Sequence, residues 1–149
     1  MTELRASVRW QRTTPVFTYD AYDRSHEVRF GSGVAIPASA AEEFHGDPKR
    51  ANPEELFVGA LSSCHMLTFL AIAARKKLVV EAYEDDASGW LEKNADGKLW
   101  MSRVVLRPRV RFATEVSAEQ LAKLHHVAHE NCFIALSVAS DVTVEPVQA

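Results

Sequence analysis

The sequence predicts an α+β fold in which strands, a long helix, more strands, a second helix and a final strand follow one another. Three observations support this. Residues 4–10 alternate between apolar and polar side chains, as a half-buried strand does. Asn52 opens a long apolar segment with helix-start signals, and Ser117 opens a second segment with helical periodicity. Because no linker or repeat separates these elements, we expect one domain over residues 1–149.

The composition is that of an ordinary globular protein. The chain carries 17 Lys and Arg against 20 Asp and Glu, a net charge of −3, and 47% of its residues are hydrophobic. This mildly acidic balance disfavours a nucleic acid as partner. The first ten residues include several charged ones and lack the apolar core of a secretory signal, so we expect a cytoplasmic location. In that reducing compartment two cysteines are more often catalytic, redox-active or metal-binding than structural.

The N-terminal part is expected to form a small sheet. The alternation over residues 4–10 predicts the first strand, residues 16–22 a second and residues 26–30 a third. Residues 37–50 have the glycine and proline content of a loop, with room for one short helical turn.

Asn52 opens the long helix with a complete set of start signals. It is a good N-cap residue, Pro53 suits the first helical position, and Glu55 stands where the capping box requires it. Basic residues ending at Lys77 suit the negative end of the helix dipole. We therefore predict a helix over residues 53–77, about 37 Å long at ~1.5 Å per residue.

This helix is apolar on all sides. Residues 56–74 contain no Asp, Glu, Lys or Arg, which meets the length criterion for a membrane span. Polar side chains in its middle would lack partners in lipid, so we favour the core helix of a soluble protein and expect no membrane partner. A chain this small offers little cover for such a helix, which predicts an intertwined homodimer.

The second half of the chain predicts more strands and one more helix. A strand is expected at residues 79–83, a hairpin with arms at 90–93 and 98–112, and a last strand at 141–146. Ser117 and Gln120 form a capping box, and the apolar stripe that follows ends at Cys132. Arginines alternate along the second hairpin arm, and we expect them to face the acidic residues around Glu81 rather than a nucleic acid.

The two cysteines are the strongest candidates for chemistry. Free cysteines are usually small core residues, and Cys64 and Cys132 both lie on apolar helical segments. Both are also flanked by polar residues, which is typical of a functional site. These neighbours are Ser62, Ser63, His65, His129, Glu130 and Asn131.

A metal site is an alternative interpretation of the same region. His125, His129 and Cys132 follow one another at i, i+4 and i+7, with Cys64 or His65 available as a fourth ligand. The CxxC and HExxH spacings of common metal sites are absent, so we predict neither a metal nor a cofactor.

Two segments resemble a known family. NPEELFVGALSSCH over residues 52–65 and the second cysteine in HENCFIALS are similar to the osmotically inducible protein C and organic hydroperoxide resistance (OsmC/Ohr) family of thiol peroxidases. The most specific feature is the Asn-Pro-Glu opening with a cysteine ten residues after that glutamate. The resemblance implies the OsmC-like fold, in which antiparallel sheets wrap around a long central helix.

The resemblance also implies a function and a set of site residues. The protein would be an antioxidant cysteine peroxidase that reduces small organic hydroperoxides to alcohols. Cys64 would become a sulfenic acid, Cys132 would close a disulfide with it, and Arg24 and Glu54 would assist. An external dithiol, such as a lipoylated protein or a small thiol, would reduce the disulfide.

The choice of Arg24 rests on YDRSHEVRF, where it stands at the position that the family's arginine occupies. Arg12 and Arg29 are alternatives. Such a cation is needed because burial disfavours a thiolate; Arg24 would stabilise the charge, and Glu54 would hold its guanidinium in a bidentate pair.

The distance between the site residues points to two subunits. Along one straight helix Glu54 and Cys64 are about 15 Å apart, too far to meet one peroxide. We therefore predict a composite site that joins Glu54 of one subunit to Cys64 of the other. Two other classes stay open: a protein that binds a small apolar ligand without catalysis, and a metal-binding protein.

Overall fold

A computed structural model describes residues 1–149, which form two compact units. The first unit is Met1–Leu56 and the second is Phe57–Ala149. The single domain over residues 1–149 stays a prediction. The predicted α+β class is confirmed, since two helices and three sheets make up the chain.

The first unit contains a three-stranded antiparallel sheet. Its strands are β1 (Ala6–Arg9), β2 (His26–Phe30) and β3 (Ala35–Ala38), in the order β1-β2-β3. The first and third predicted strands correspond to β1 and β2. The predicted loop over residues 37–50 overlaps the last two residues of β3, Pro37 and Ala38, because an edge strand tolerates a proline that cannot donate a ladder hydrogen bond.

The strand predicted at residues 16–22 is wrong. The segment forms a turn in which the backbone N–H of Tyr22 donates to the carbonyl of Thr18 at 3.1 Å. The Thr18 hydroxyl also donates to Asp20 at 2.9 Å, a local hydrogen bond that competes with strand formation. The aromatic rings of the segment pack together instead, with Phe17 and Tyr22 centroids 5.1 Å apart.

The long helix α1 spans Pro53–Arg75 and begins as predicted. The backbone N–H of Glu55 donates to Asn52 Oδ1 at 2.8 Å, and the backbone N–H of Asn52 donates to Glu55 Oε2 at 3.2 Å. The helix ends two residues before the predicted boundary because Lys77 has a left-handed φ of 59°, which no α-helix accommodates.

α1 buries one stripe of its surface. Leu61, His65, Phe69 and Ala73 are buried and recur every four residues, whereas Leu67 on another side is 60% exposed. By length and composition alone α1 is the one helix that could cross a membrane, but the core helix of a soluble protein passes the same test. Only 28% of its most apolar window is buried, so much of its apolar surface is uncovered in one chain.

The second unit contains two small sheets. β4 (Val80–Asp85) pairs antiparallel with β7 (Pro108–Phe112). β5 (Ser88–Lys93) pairs antiparallel with β6 (Leu99–Leu106), and β8 (Asp141–Val144) lies parallel to β6.

The predicted hairpin arm at residues 98–112 is two strands rather than one. The break falls at Arg107, whose backbone N–H donates to the Asp85 carboxylate at 2.6 Å. The arginine row does face acidic residues, as predicted: Arg109 lies 3.9 Å from Glu84 and Arg111 lies 3.8 Å from Glu81.

The second helix, α2 (Ala118–Glu130), starts at the predicted capping box of Ser117. Its buried Leu124 and Ala128 form a core cluster with Phe69, Ala73 and Val110. The helix ends before Cys132, which lies in the turn after it. The packing of α2 against α1 sets which side chains of the two helices meet.

Candidate thiol site

Cys64 is half-buried on α1 and lines a groove of about 740 Å³. The groove runs along α1 and the C-terminal end of α2, and most of its lining is apolar. Its lining includes Ala60, Leu67, Ala71, Ile72, Phe133 and Ile134. One side of Cys64 therefore faces a space that can hold a small apolar molecule.

Cys132 is only 1% exposed, and its thiol lies close enough to the thiol of Cys64 for the two groups to interact. Burial raises the pKa of Cys132, and the Cys64 thiol raises it further. The backbone N–H groups of Ala135 and Ile134 act in the opposite direction, because they donate towards the sulfur and favour its charged form. Both cysteines are free, so the site is a reduced dithiol.

The turn after α2 positions Cys132. Its backbone N–H donates to the carbonyl of His129 at 3.3 Å, and its carbonyl accepts from Leu136 at 3.0 Å. Because both backbone groups are engaged, the thiol is held towards α1 from a short ordered turn. The two cysteines, 68 positions apart in sequence, are thus brought together by the α1–α2 contact.

Arg24 is a buried cation in the first unit. It is 7% exposed, and its guanidinium donates to the backbone carbonyls of Tyr22, at 2.8 Å, and Tyr19. The guanidinium carbon also lies 3.9 Å from the centre of the Tyr22 ring, within the range of a cation–π interaction. These contacts fix the side chain while leaving its positive charge without a carboxylate partner.

The other two candidate arginines are exposed. Arg29 forms an ion pair with Glu27 at 2.8 Å, and Arg12 donates to the carbonyl of Thr14 at 2.7 Å. Of the three, Arg24 is the one whose charge is held in a low-dielectric setting, where it acts most strongly on a nearby anion.

Glu54 stands in the first turn of α1 and lines a cavity of about 430 Å³ together with Arg24. Aromatic residues including Trp10, Phe17 and Phe44 form much of the rest of this lining. The predicted bidentate pair between Arg24 and Glu54 does not form within the chain, because backbone carbonyls accept the guanidinium hydrogens.

The four predicted site residues thus fall into two pairs. Cys64 and Cys132 are neighbours in the second unit, and Arg24 and Glu54 share a cavity in the first. Each pair is assembled by its own part of the fold.

Some of the polar neighbours that marked the cysteines in the sequence have structural partners. The Ser62 hydroxyl donates to the Asp85 carboxylate at 2.5 Å and ties α1 to β4. His65 lies 3.0 Å from His125, ring nitrogen to ring nitrogen. No group of three His, Cys, Asp or Glu side chains is arranged to hold a metal ion, so the geometry gives the metal interpretation no support.

The buried pairing of His65 with His125 was not anticipated. A signal for it exists in the sequence, since His65 falls in the same four-residue register as Leu61, Phe69 and Ala73. A histidine in an apolar stripe needs a buried partner, and α2 supplies it.

An α+β fold that places a half-buried and a buried cysteine together beside an apolar groove defines a small thiol-bearing protein. The chain belongs to the OsmC/Ohr family: a family model described as OsmC-like protein matches residues 46–147. The predicted family and fold are therefore confirmed.

Solved structures and a sequence relative agree with this assignment. The chain is 46% identical to an OsmC-like protein of unknown function from Vibrio cholerae, with a TM-score of 0.93 over 99% of this chain and 100% of that one. The organic hydroperoxide resistance protein OhrB of Bacillus subtilis has the same fold at 17% identity, with a TM-score of 0.70 over 99% and 98% of the two chains. The uncharacterized protein YmaD of Bacillus subtilis is 24% identical over 76% of this chain and 75% of its own length.

Proposed function

We propose that the protein is a thiol peroxidase that reduces small organic hydroperoxides to alcohols. The observation that carries the proposal is the proximity of the thiols of Cys64 and Cys132 at the edge of an apolar groove. Family membership supports a role in peroxide resistance, since relatives with the same fold are named organic hydroperoxide resistance proteins.

The first chemical step takes place at Cys64. Its thiolate attacks the distal oxygen of the hydroperoxide, a sulfur–oxygen bond forms and the oxygen–oxygen bond breaks. The alkoxide leaves and takes up a proton to become the alcohol. Cys64 gives two electrons to the peroxide and becomes a sulfenic acid.

The second step uses Cys132. Its sulfur attacks the sulfenic sulfur of Cys64, a disulfide forms, and the hydroxide leaves with the Cys132 proton as water. An external dithiol, such as a lipoylated protein or a small thiol, then returns two electrons by thiol–disulfide exchange. The proximity of the two thiols supports this step because the residues that must bond already interact in the reduced protein.

Arg24 and Glu54 complete the site in a homodimer. In this proposal their cavity in one subunit faces the Cys64 groove of the other, so that the buried guanidinium stabilises the thiolate. The uncovered apolar surface of α1, including Leu67, supports a second copy as its cover.

The groove favours organic hydroperoxides over hydrogen peroxide. The free energy of binding becomes more favourable by roughly 25 cal/mol for each Å² of apolar substrate surface that the groove removes from water. An alkyl or aryl tail that buries about 60 Å² therefore gains roughly 1.5 kcal/mol, a little over tenfold in kcat/KM. Hydrogen peroxide has no tail to bury.

Turnover measurements test the proposal. The reduced protein with a dithiol should consume an aryl hydroperoxide faster than hydrogen peroxide, and Cys64→Ser should abolish consumption. Ser32→Ala, a change at an exposed serine in the turn between β2 and β3 and outside the groove, serves as the control. A wild-type protein that consumes neither peroxide contradicts the proposal.

The groove also supports a second candidate function. A space of about 740 Å³ with an apolar lining is large enough for a small ligand without any redox step. A non-catalytic binding protein would take up an apolar fluorescent probe equally well with wild-type Cys64 and with Cys64→Ser, and would consume no peroxide.

A further inference from the structure

The contact between α1 and α2 contains a second polar pair beside the cysteines. His65 and His125 are 1% and 3% exposed, with His65 Nε2 and His125 Nδ1 3.0 Å apart. The ring planes are inclined by only 9°. One of these nitrogens must carry a hydrogen and the other must accept it, so the neutral rings share a proton.

This pair is not explained by stability. His65 Nδ1 and His125 Nε2 point away from their shared hydrogen bond and have no partner, and the nearby His129 Nδ1 has none either. Buried polar atoms without partners reduce the free energy of unfolding, and apolar side chains of similar volume would avoid that loss. A function for the pair accounts for its presence better than packing does.

Burial keeps the pair neutral. It lowers the pKa of each histidine to about 4, and the neighbouring His129 and Asp85 act on His65 in opposite directions. The titratable groups that act on the pair from neighbouring positions are His129 on α2 and Asp85 on β4. Above pH 5 the shared hydrogen bond therefore persists, whereas protonation of both rings would place two positive charges 3.0 Å apart.

The two polar contacts are neighbours on the same pair of helices. His65 follows Cys64 directly on α1. His125 lies on α2, and Cys132 lies in the turn directly after that helix ends at Glu130. A change in the spacing or rotation of the helices at the histidines is therefore transmitted to the cysteines.

We propose that His65 and His125 are positioning residues, which hold α1 and α2 in the register that keeps Cys132 within bonding distance of Cys64. The inference deepens the proposed function, since it concerns the same disulfide. It does not depend on peroxide turnover, because any two-electron oxidant of the dithiol reveals it.

The disulfide equilibrium in glutathione buffers tests the inference. Glutathione disulfide accepts two electrons and two protons from Cys64 and Cys132, which gives the protein disulfide and two molecules of glutathione. The informative variants are His125→Phe, which removes the shared hydrogen bond, and His125→Gln, whose amide can replace it without titrating. His126→Gln is the control because His126 is the exposed neighbour on the same helix.

We expect the equilibrium constant to fall about tenfold or more in His125→Phe and to stay within about threefold of wild type in His125→Gln and His126→Gln. Unfolding by urea, measured on each variant, should show that His125→Phe is less stable than wild type, because His65 loses its buried partner, but is still fully folded in the redox buffers. An unchanged constant in His125→Phe overturns the inference. An equal fall of the equilibrium constant in His125→Gln also overturns it. So does a fall of the constant that is proportional, across the variants, to the loss of stability.

The pH profile of the same equilibrium gives a second readout that does not depend on the folding of His125→Phe. Approached from the reduced and oxidised sides, the wild-type constant should fall as the pH decreases from 6 towards 4, as the pair becomes charged. The double variant His65→Gln, His125→Gln should show no such fall, and identical profiles would overturn the inference. If wild type forms the disulfide in glutathione but consumes no peroxide, the proposed function fails and the positioning role stands.

Discussion

At the scale of single residues, the two cysteines differ in their surroundings although their thiols are neighbours. Cys64 borders a groove, whereas Cys132 is buried and its pKa is raised, first by burial and then by its neighbour. The thiolate is the nucleophilic form, so the exposed partner is suited to meet substrate and the buried one to wait for the sulfenic acid.

Alkylation should distinguish the two thiols. At pH 7.5 iodoacetamide should modify Cys64 in wild type before Cys132, because the buried thiol is both less accessible and less ionised. Peptide mass spectrometry at successive times gives the two rates. The rate at which Cys132 is labelled in Cys64→Ser is the control, because it shows how often the site opens to the reagent. Faster labelling of Cys132 than of Cys64 in wild type would contradict the assignment.

Arg24 should control the reactivity of Cys64 if the composite site exists. We expect Arg24→Met to slow oxidation of Cys64 by an organic hydroperoxide about tenfold or more, while Arg29→Met has little effect. Arg29 is a suitable control because its charge already pairs with Glu27 at the surface. Equal rates in the two variants, measured by stopped flow over a range of pH, would show that Arg24 does not act on the thiol.

At the scale of elements, α1 organises the second unit and carries Cys64 near its middle. Its start depends on the Asn52 and Glu55 capping box, and its buried stripe packs against α2 and β7. Asn52→Ala should lower the free energy of unfolding by about 1 kcal/mol, because it leaves a backbone N–H of the first turn without a partner. Urea unfolding measures the change, with Ser63→Ala as control, and a loss no greater than the control's would contradict the role of the cap.

The histidine pair should make stability depend on pH. Folding lowers the pKa of His65 and His125 from 6.5 to about 4, so between these values the unfolded chain binds more protons than the folded one. The free energy of unfolding should therefore fall as the pH decreases from about 6.5 to 4, by several kcal/mol in all, and change little through these groups below 4. His65→Gln combined with His125→Gln should flatten the curve relative to His126→Gln, and superimposable curves would contradict the lowered pKa values.

Much of this element structure could be predicted from the sequence because the signals are local. Asn52 and Ser117 predict both helix starts, since a capping box uses residues within one turn. The failures have two causes: local hydrogen bonds that compete with a strand, and contacts with residues distant in the sequence. Residues 16–22 carry a strand pattern but follow the hydrogen bonds of Thr18, and the break at Arg107 depends on Asp85 from another strand.

The candidate site was predictable only in part for the same reason. Cys64 and Cys132 were identified by their polar company and by a family resemblance, and their contact follows from tertiary packing. The pairing of His65 with His125 crosses two helices, and no local pattern specifies which histidine meets which. The absence of an ion pair between Arg24 and Glu54 depends on where the carbonyls of Tyr19 and Tyr22 point.

At the scale of the whole molecule, the account requires two chains. α1 leaves apolar side chains such as Leu67 exposed, and the buried charge of Arg24 lacks an anionic partner within its own chain. Both features are expected of a surface that a second copy covers.

Light scattering should therefore give a mass of twice 16.6 kDa at micromolar concentration. Leu67→Glu should shift the protein towards the monomer, because it places a carboxylate on the surface to be covered. Lys76→Glu, at an exposed position after the end of the same helix, is the matched control. A wild-type protein that stays monomeric at this concentration would contradict both the homodimer and the composite site.

The most direct test of the central claim is a single-turnover titration of the fully reduced protein with an aryl hydroperoxide, followed by thiol counting and intact mass. The account predicts that one equivalent of peroxide is consumed per chain and that both thiols disappear together. The mass should fall by about 2 Da, as for an intramolecular disulfide. Retention of both thiols after excess peroxide, or loss of Cys64 alone with a gain of oxygen and no disulfide, would contradict it.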